Sequence, residues 1–509
     1  MPTWGELGVR SGPNAHDFGV RMKRIWLTFL ALGPLAAGCA STAPLRHAEV
    51  TPPPAYEAVQ PDHDGLQAAA LDDWWTLYHD AQLEDLVNRA LANSPNARTA
   101  LAVLQQAAAV REQSRAQIFL PTGNPSGTAT ETHTDIINSA GAVTIPGFNQ
   151  AGNSNSLSAN FDVGWELDLF GRRIVQNRAA NADFYSAAFQ YEATRTALIA
   201  NVAQSLFQLR GLSLQLRDAR ETARIDKQLL DMVSTRVDRG LSAGGDLDQA
   251  AANSESANAQ AESLQAQLTT AQRTLLVLVG SGFDPVESLA PDTPVGTPPP
   301  APAVTPGDLL RRRPDVKQAE LKLRSSVATL KVDQLALLPT IRLQPGVSLS
   351  RSSGAFGSTS AAWSIGANLT APILDRPRLI GVVHAQRAVA EQAIISYESA
   401  VQTAYGDAEN AFVYLDSDRR RVAFLTDAEA HAEAAYEKSR VGYERGLNDL
   451  QTALTAESTW RTTRTQLSAA QATLMQRSVQ VFKALGGGWA PDAPAASTPL
   501  AAASSRGTK

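Results

Sequence analysis

Cys39 is the only cysteine in 509 residues. A lone thiol excludes an internal disulfide and any multi-cysteine metal site, and leaves a nucleophile or a point of modification. The seven histidines (His16, His47, His63, His79, His133, His384 and His431) are scattered, with no HExxH or CxxC companion, so they read as ordinary surface or core residues. No phosphate-binding loop is present, and no carboxylate pair stands out, so enzymatic chemistry is not expected. A metal or cofactor role is not expected either. The net charge of −5 is mild, and no basic block with interleaved aromatics marks a nucleic-acid surface. The remaining chemistry-bearing positions are acids and arginines at two turns, around residues 239–248 and 445–449.

Cys39 is positioned by the residues before it. From Met22 the chain reads MKRIWLTFLALGPLAAGC. Lys23 and Arg24 form a basic start, and Ile25–Leu35 an apolar run too short to span a bilayer as a mature helix. Ala36, Ala37 and Gly38 are small. This resembles a bacterial lipoprotein signal, in which cleavage leaves the cysteine as the new N-terminus for acylation, for example by palmitate. Ala36 stands where the usual pattern has Leu; Leu35 is one position earlier. Translation is expected to start at Met22, and an ordinary secretory signal with an incidental cysteine is the alternative.

The rest of the chain is written twice, at a period of about 200 residues. SPNARTALAVLQQAAAVREQSRAQIFLPT, ending at Thr122, has a counterpart in RPDVKQAELKLRSSVATLKVDQLALLPT, ending at Thr340. Each is a helical stretch opened by proline and closed at Leu-Pro-Thr. Alternation then predicts strands. Leu157, Ala159, Phe161, Val163, Trp165, Leu167 and Leu169 alternate with Ser158, Asn160, Asp162, Gly164, Glu166 and Asp168. Residues 341–350 and 362–372 alternate likewise, and 125–135 form a weaker, Thr-rich strand. Trp165 and Trp363 are expected to face outward, near an interface; Asp162, Glu166 and Asp168 to face inward or lie just below the membrane.

After each pair of strands the period becomes helical. Gly171 to Gly240 is free of proline over 70 residues, or roughly 100 Å of helix. The second copy runs over 378–446, and shorter helices are predicted over 246–280 and 449–485. Ala453, Trp460, Leu467, Leu474 and Val481 recur every seven residues, and Ile199, Val202, Leu206 and Leu209 follow three-four spacing, as in coiled coils. Arg239-Gly240-Leu241 aligns with Arg445-Gly446-Leu447, and Asp246-Leu247 with Asp449-Leu450. The glycines suit helix ends, and the acids suit caps of the next helices. The resulting division is 1–38 extension and signal, 39–79 anchored segment, 80–288 first repeat, 289–305 Pro-rich linker, 306–488 second repeat and 489–509 disordered tail.

Four strands cannot close a barrel, and lipid does not tolerate open sheet edges. Several protomers must share one barrel; three give twelve strands.

Taken together, DDWWTLYHDAQLEDLVNRAL (72–91), LDLFGRR (167–173), LLRRRPDV (309–316), both Leu-Pro-Thr sites and both tips resemble the outer-membrane efflux protein family, in particular lipoproteins serving RND-type pumps. The resemblance implies a mainly α protein with transmembrane β: a homotrimeric twelve-stranded β-barrel in the outer membrane, continued by a periplasmic α-helical coiled-coil barrel with a mixed equatorial region. It also implies a periplasmic adaptor, an inner-membrane RND transporter and outer-membrane lipid as partners, with exit of drugs or metal ions. Asp449, with Asn448 beside it, maps to the acids that ring the family's periplasmic aperture; Asp246 and Asp248 lie at the other tip. Arg239, Gly240, Arg445 and Gly446 would shape the adaptor-contact tips. Export of proteins by a type I system and a lipid-anchored coiled-coil scaffold without a pore are the alternatives.

Overall fold

The computed structural model describes residues 44–57, 71–135, 152–289, 295–302, 304–353 and 357–490. The chain divides at Arg46. Of the part before it only residues 44–46 are described, without regular secondary structure. Cys39, the signal, the 489–509 tail beyond Ala490 and part of the linker lie outside the described residues. The described helices and strands all belong to the unit that begins at His47.

A short 3-10 turn, Trp74–Tyr78, leads into α1 (Ala81–Asn93) and α2 (Pro95–Phe119). Strands β1 (Thr122–Thr134) and β2 (Gly152–Leu167) come next, then α3 (Arg172–Asp238) and α4 (Gly244–Leu278). The second half repeats the order: α5 (Pro306–Arg312), α6 (Pro314–Leu335), β3 (Thr340–Ser353), β4 (Ser358–Thr370), α7 (Arg376–Glu444) and α8 (Leu450–Ala484). Proline occupies the first turn of α2, α5, α6 and α7, where its missing N–H is not needed. The 67 and 69 residues of α3 and α7 each extend roughly 100 Å.

The four strands form one antiparallel sheet in the order β1-β2-β3-β4. β1 starts at Thr122, three residues before the alternation predicts it. Gly123, Pro125 and Gly127 hide the pattern in sequence, yet the strand pairs along its whole length with β2. β2 stops at Leu167. Asp168 lies just beyond it and caps α3, its carboxylate accepting from the backbone N–H groups of Arg173 (3.1 Å) and Ile174 (3.2 Å).

The helices pack as layers on α3. It contacts α2 and α6 near the sheet and α4 and α8 further away; α7 packs on α6 and then on α8. Ile199, Val202, Leu206 and Leu209 of α3 are fully buried, and Val479 and Phe482 of α8 are buried with them. The main core sits where both halves meet. Trp74 stacks on Phe482 (centroids 5.4 Å, planes 7° apart), and Tyr78 packs on Phe207. The Tyr78 hydroxyl bonds Ser478 Oγ at 2.6 Å. Around this apolar centre, Arg210 is buried against Asp80 and Gln82, and Arg313 ties Asp315, Asp407 and the carbonyls of Ala404 and Ala484 together. Arg313 thereby fastens the α5–α6 junction to α7 and to the end of α8. The segment His47–Glu57 lies along α7: Glu49 N–H donates to Glu398, and Tyr56 packs on Tyr405 and Phe412.

Candidate functional site

The sheet register sorts the strand residues into two faces. On one face, rows run Trp165–Leu343–Ala367, then Phe161–Val347–Trp363, then Ala159–Leu349–Ala361. Leu167–Ile341–Leu369 forms the row nearest the helices. On the other face the rows are Asn124–Asp162–Gly346–Ser364, Ser126–Asn160–Ser348–Ala362 and Thr128–Ser158–Ser350–Ser360. Leu157 to Leu167 is a run of eleven residues, or roughly 25 Å of height for strands tilted as in transmembrane barrels.

The apolar face is uncovered. Trp363 is 79% exposed, and Phe161, Trp165, Val347, Leu349, Ile365 and Leu369 are all exposed. A continuous apolar face of this extent does not suit water. Trp165 and Trp363 lie on it. Asp162 lies on the polar face, and Glu166 lies there opposite Arg342, paired to Arg172 at 2.5 Å. Asp168 belongs to the helix cap rather than to the strand face. Proline at 345 removes an N–H from an inner strand, and the β2–β3 ladder skips there. Arg342 spans that gap across Gly164 and donates to Thr122 Oγ1 at 3.3 Å. The outer edges of β1 and β4 have no partner strand among the described residues.

The opposite ends of α3 and α7 are built alike. Gly240 (φ 68°) and Gly446 (φ 70°) adopt the left-handed conformation. The N–H of Gly240 bonds Val237 O, and that of Leu241 bonds Arg236 O; Gly446 and Leu447 repeat this with Tyr443 and Gly442. These are Schellman ends, and a side chain at either glycine would be strained. Arg239 and Arg445 immediately precede the glycines and are exposed. The next residues are leucines that nothing covers: Leu241 is 66% exposed and Leu447 77%.

Asp449 caps α8, accepting from Thr452 N–H at 2.8 Å. Thr452, through its hydroxyl first and its backbone N–H second, holds the Asp449 carboxyl below the usual carboxylate range. Asp246 plays a different part: it lies inside the first turn of α4, whose N-cap is Ala243, and Asp248 comes two residues later, exposed. There Asp246 faces the positive end of the helix without a side-chain cap bond. Asn448 folds over Gly442, where a Cβ would collide with its amide.

A polar link crosses between the two tips, beside an apolar cluster in which Val233 and Ala250 meet Tyr443, Leu450, Ala453 and Leu454. Arg236 of α3 donates to Tyr443 O at 3.0 Å, and its guanidinium lies 4.7 Å from the Tyr443 ring centroid. Tyr443 is buried. Sequence reasoning missed this clamp, since the position matching Arg236 in the second copy is Gly442 and the repeat gives no hint of it. It also missed the exposed leucines, although both stand in the repeated Arg-Gly-Leu. Among the described residues no cluster of His, Cys, Asp and Glu could hold a metal ion, and no helix is long and apolar enough to cross a membrane.

A sheet with one apolar and one hydroxyl-rich face, open at both edges and set on helices of about 100 Å, is one protomer's share of a trimeric outer-membrane β-barrel that continues as a helical barrel. The profile of the family described as "Outer membrane efflux protein" matches residues 86–281 and 305–487, and the chain belongs to that family. Its members are passive channels rather than enzymes. The chain is 27% identical over 433 residues to the pyoverdine export outer membrane protein OpmQ of Pseudomonas aeruginosa, covering 84% of this chain and 89% of that protein. It is 28% identical over 435 residues to outer membrane protein OprJ of the same species, covering 83% and 88%. Among solved structures it resembles the outer-membrane channel OprN, with 27% identity, a TM-score of 0.76, and 88% of this chain and 99% of that one covered. The chain is an outer-membrane efflux channel of the tripartite-pump type, with its helical barrel in the periplasm.

Proposed function

We propose that this channel is the exit duct for small toxic compounds, drugs or metal ions, delivered by an inner-membrane RND transporter through a periplasmic adaptor. The observation that carries the reading is the pair of matched tips. They end the helical barrel in a tightly turned backbone with bare leucines, and the Arg236–Tyr443 clamp and a small apolar cluster around Val233 and Leu450 hold them together. Leu241 and Leu447, flanked by Arg239 and Arg445, offer apolar knobs beside fixed positive charge. An adaptor hairpin with apolar and acidic end residues complements them.

Asp246, Asp248, Asn448 and Asp449 lie at the rim of the same opening. In a trimer, each position occurs three times around the axis. Carboxylates brought together there attract cations and repel one another, so the closed aperture depends on contacts such as the Arg236–Tyr443 clamp.

Acylation of Cys39 is supported by the basic start, the apolar run and the small residues Ala36, Ala37 and Gly38 that precede it. Intact-mass analysis showing no acyl group on the mature chain contradicts this part.

The aperture reading is tested by the resting conductance of the full-length trimer in planar bilayers. Wild type conducts weakly, and Asp449→Ala raises conductance because the tip loses the cap of α8, which outweighs the relief of repulsion at the rim. Unchanged conductance in a folded Asp449→Ala trimer removes Asp449 from the closure.

A further inference from the structure

Two turns above the start of α8, Glu457 is buried against α3, where it meets Asp226. Both residues are about 2% exposed. Arg461 bonds Asp226 Oδ2 at 3.1 Å but stands 3.9 Å from Glu457 Oε1. Asp226 Oδ1 and Glu457 Oε1 are both buried without a conventional donor. Two buried carboxylates sharing one guanidinium are costly, and unpaired oxygens add to the cost. One proton resolves both problems: a protonated Glu457 donates to Asp226, leaving one carboxylate for Arg461.

Among the described residues, Arg461 is the cation that reaches this pair. From α3 come Asp226 itself and, toward Tyr436, Arg224, which is paired with Glu221. From α7 come Tyr436, with Glu437 and Arg440 paired to each other beyond it, and Glu429, which accepts from Trp460 Nε1 at 3.0 Å. From α8 come Arg461 and Arg464, the latter committed to Asp218 at 2.8 Å. Trp460 stacks on Tyr436 at 5.2 Å and helps keep water from the pair. Burial, and then Asp226, push the Glu457 carboxyl up to about 8.

We propose that Asp226 and Glu457 form a one-proton latch between the two helical hairpins: holding the proton, they fasten α3 to α8, and losing it loosens the seam that leads to the tips. The proposal rests on the reading of the tips as a closable aperture. The sign comes from linkage. The latched carboxyl is raised relative to a hydrated one, so the latch is strongest below the ordinary glutamate range. It weakens as pH rises, by up to ten-fold in the closed-to-open ratio per pH unit, and is spent once pH passes about 8.

The test measures resting conductance of the full-length trimer between pH 6 and 9, in wild type and Glu457→Gln. Gln keeps the shape, donates to Asp226 and cannot ionise. Wild-type conductance is expected to climb up to pH 8 and then level, while Glu457→Gln stays low throughout. A closed wild type with flat conductance, or a Glu457→Gln channel that keeps the wild-type rise, overturns the latch alone. A wild type fully open at every pH overturns the aperture reading instead. Infrared titration of wild type gives a check that needs no variant. A protonated-carboxyl band should disappear with the same midpoint as the conductance change, and a midpoint elsewhere contradicts the latch.

Discussion

Two of the places where the hairpins meet are built from opposite materials. At the level of Trp74 the junction is aromatic and aliphatic: Trp74, Phe207, Phe482, Leu206 and Leu275 are essentially fully buried. Lower down, the α3–α8 seam buries Asp218, Asp226, Glu457 and Ser468 instead, with Arg461 and Arg464 reaching in. The apolar part of that junction is held by burial and packing, and the Arg210–Asp80 and Arg313 ion pairs fasten its margin. A polar seam of this kind is specific in register, has little net strength and is sensitive to protonation. The difference assigns permanence to the upper junction and the capacity to part to the lower one.

The largest effect should come from the permanent junction. Trp74→Ala removes the ring stacked on Phe482 and should cost about 3–5 kcal/mol. It should lower the thermal midpoint of the purified trimer while leaving the pH response of conductance intact. Asp218→Ala strikes the polar seam and strands Arg464 and Ser468, at about 1–3 kcal/mol. Hydrogen exchange should then rise around residues 455–470 and not around Trp74. A uniform rise over both junctions would erase the distinction between them.

Much of this was legible in the sequence because it is locally encoded. Long proline-free helices, the period-two strands and the duplicated Arg-Gly-Leu tips each declare themselves within a few dozen residues. β2 reaches back to Gly152 because its outer portion, Asn153 to Ser156, is polar on both faces and lies beyond the apolar band. No alternation exists there to read. The clamp and the latch were illegible for another reason. Arg236 and Tyr443 are 207 positions apart, and Asp226 and Arg461 are 235 apart. Each pairing depends on the register between hairpins, which no local pattern carries. Asp449 shows the intermediate case: its position before α8 announces a cap, whereas its place on a shared rim comes only from family likeness.

The smallest energetic change bears most directly on the central claim that the tips form a closed but separable end to the channel. Arg236→Ala removes the carbonyl bond and the ring contact with Tyr443, about 1 kcal/mol, and should shift the closed-to-open balance on the order of five-fold. The decisive measurement is the resting conductance of folded, full-length Arg236→Ala trimers in planar bilayers beside wild type. A low wild-type conductance that rises several-fold in the variant is the expected result. Equal conductance from the two, or a well-folded wild-type trimer that never conducts, contradicts the account.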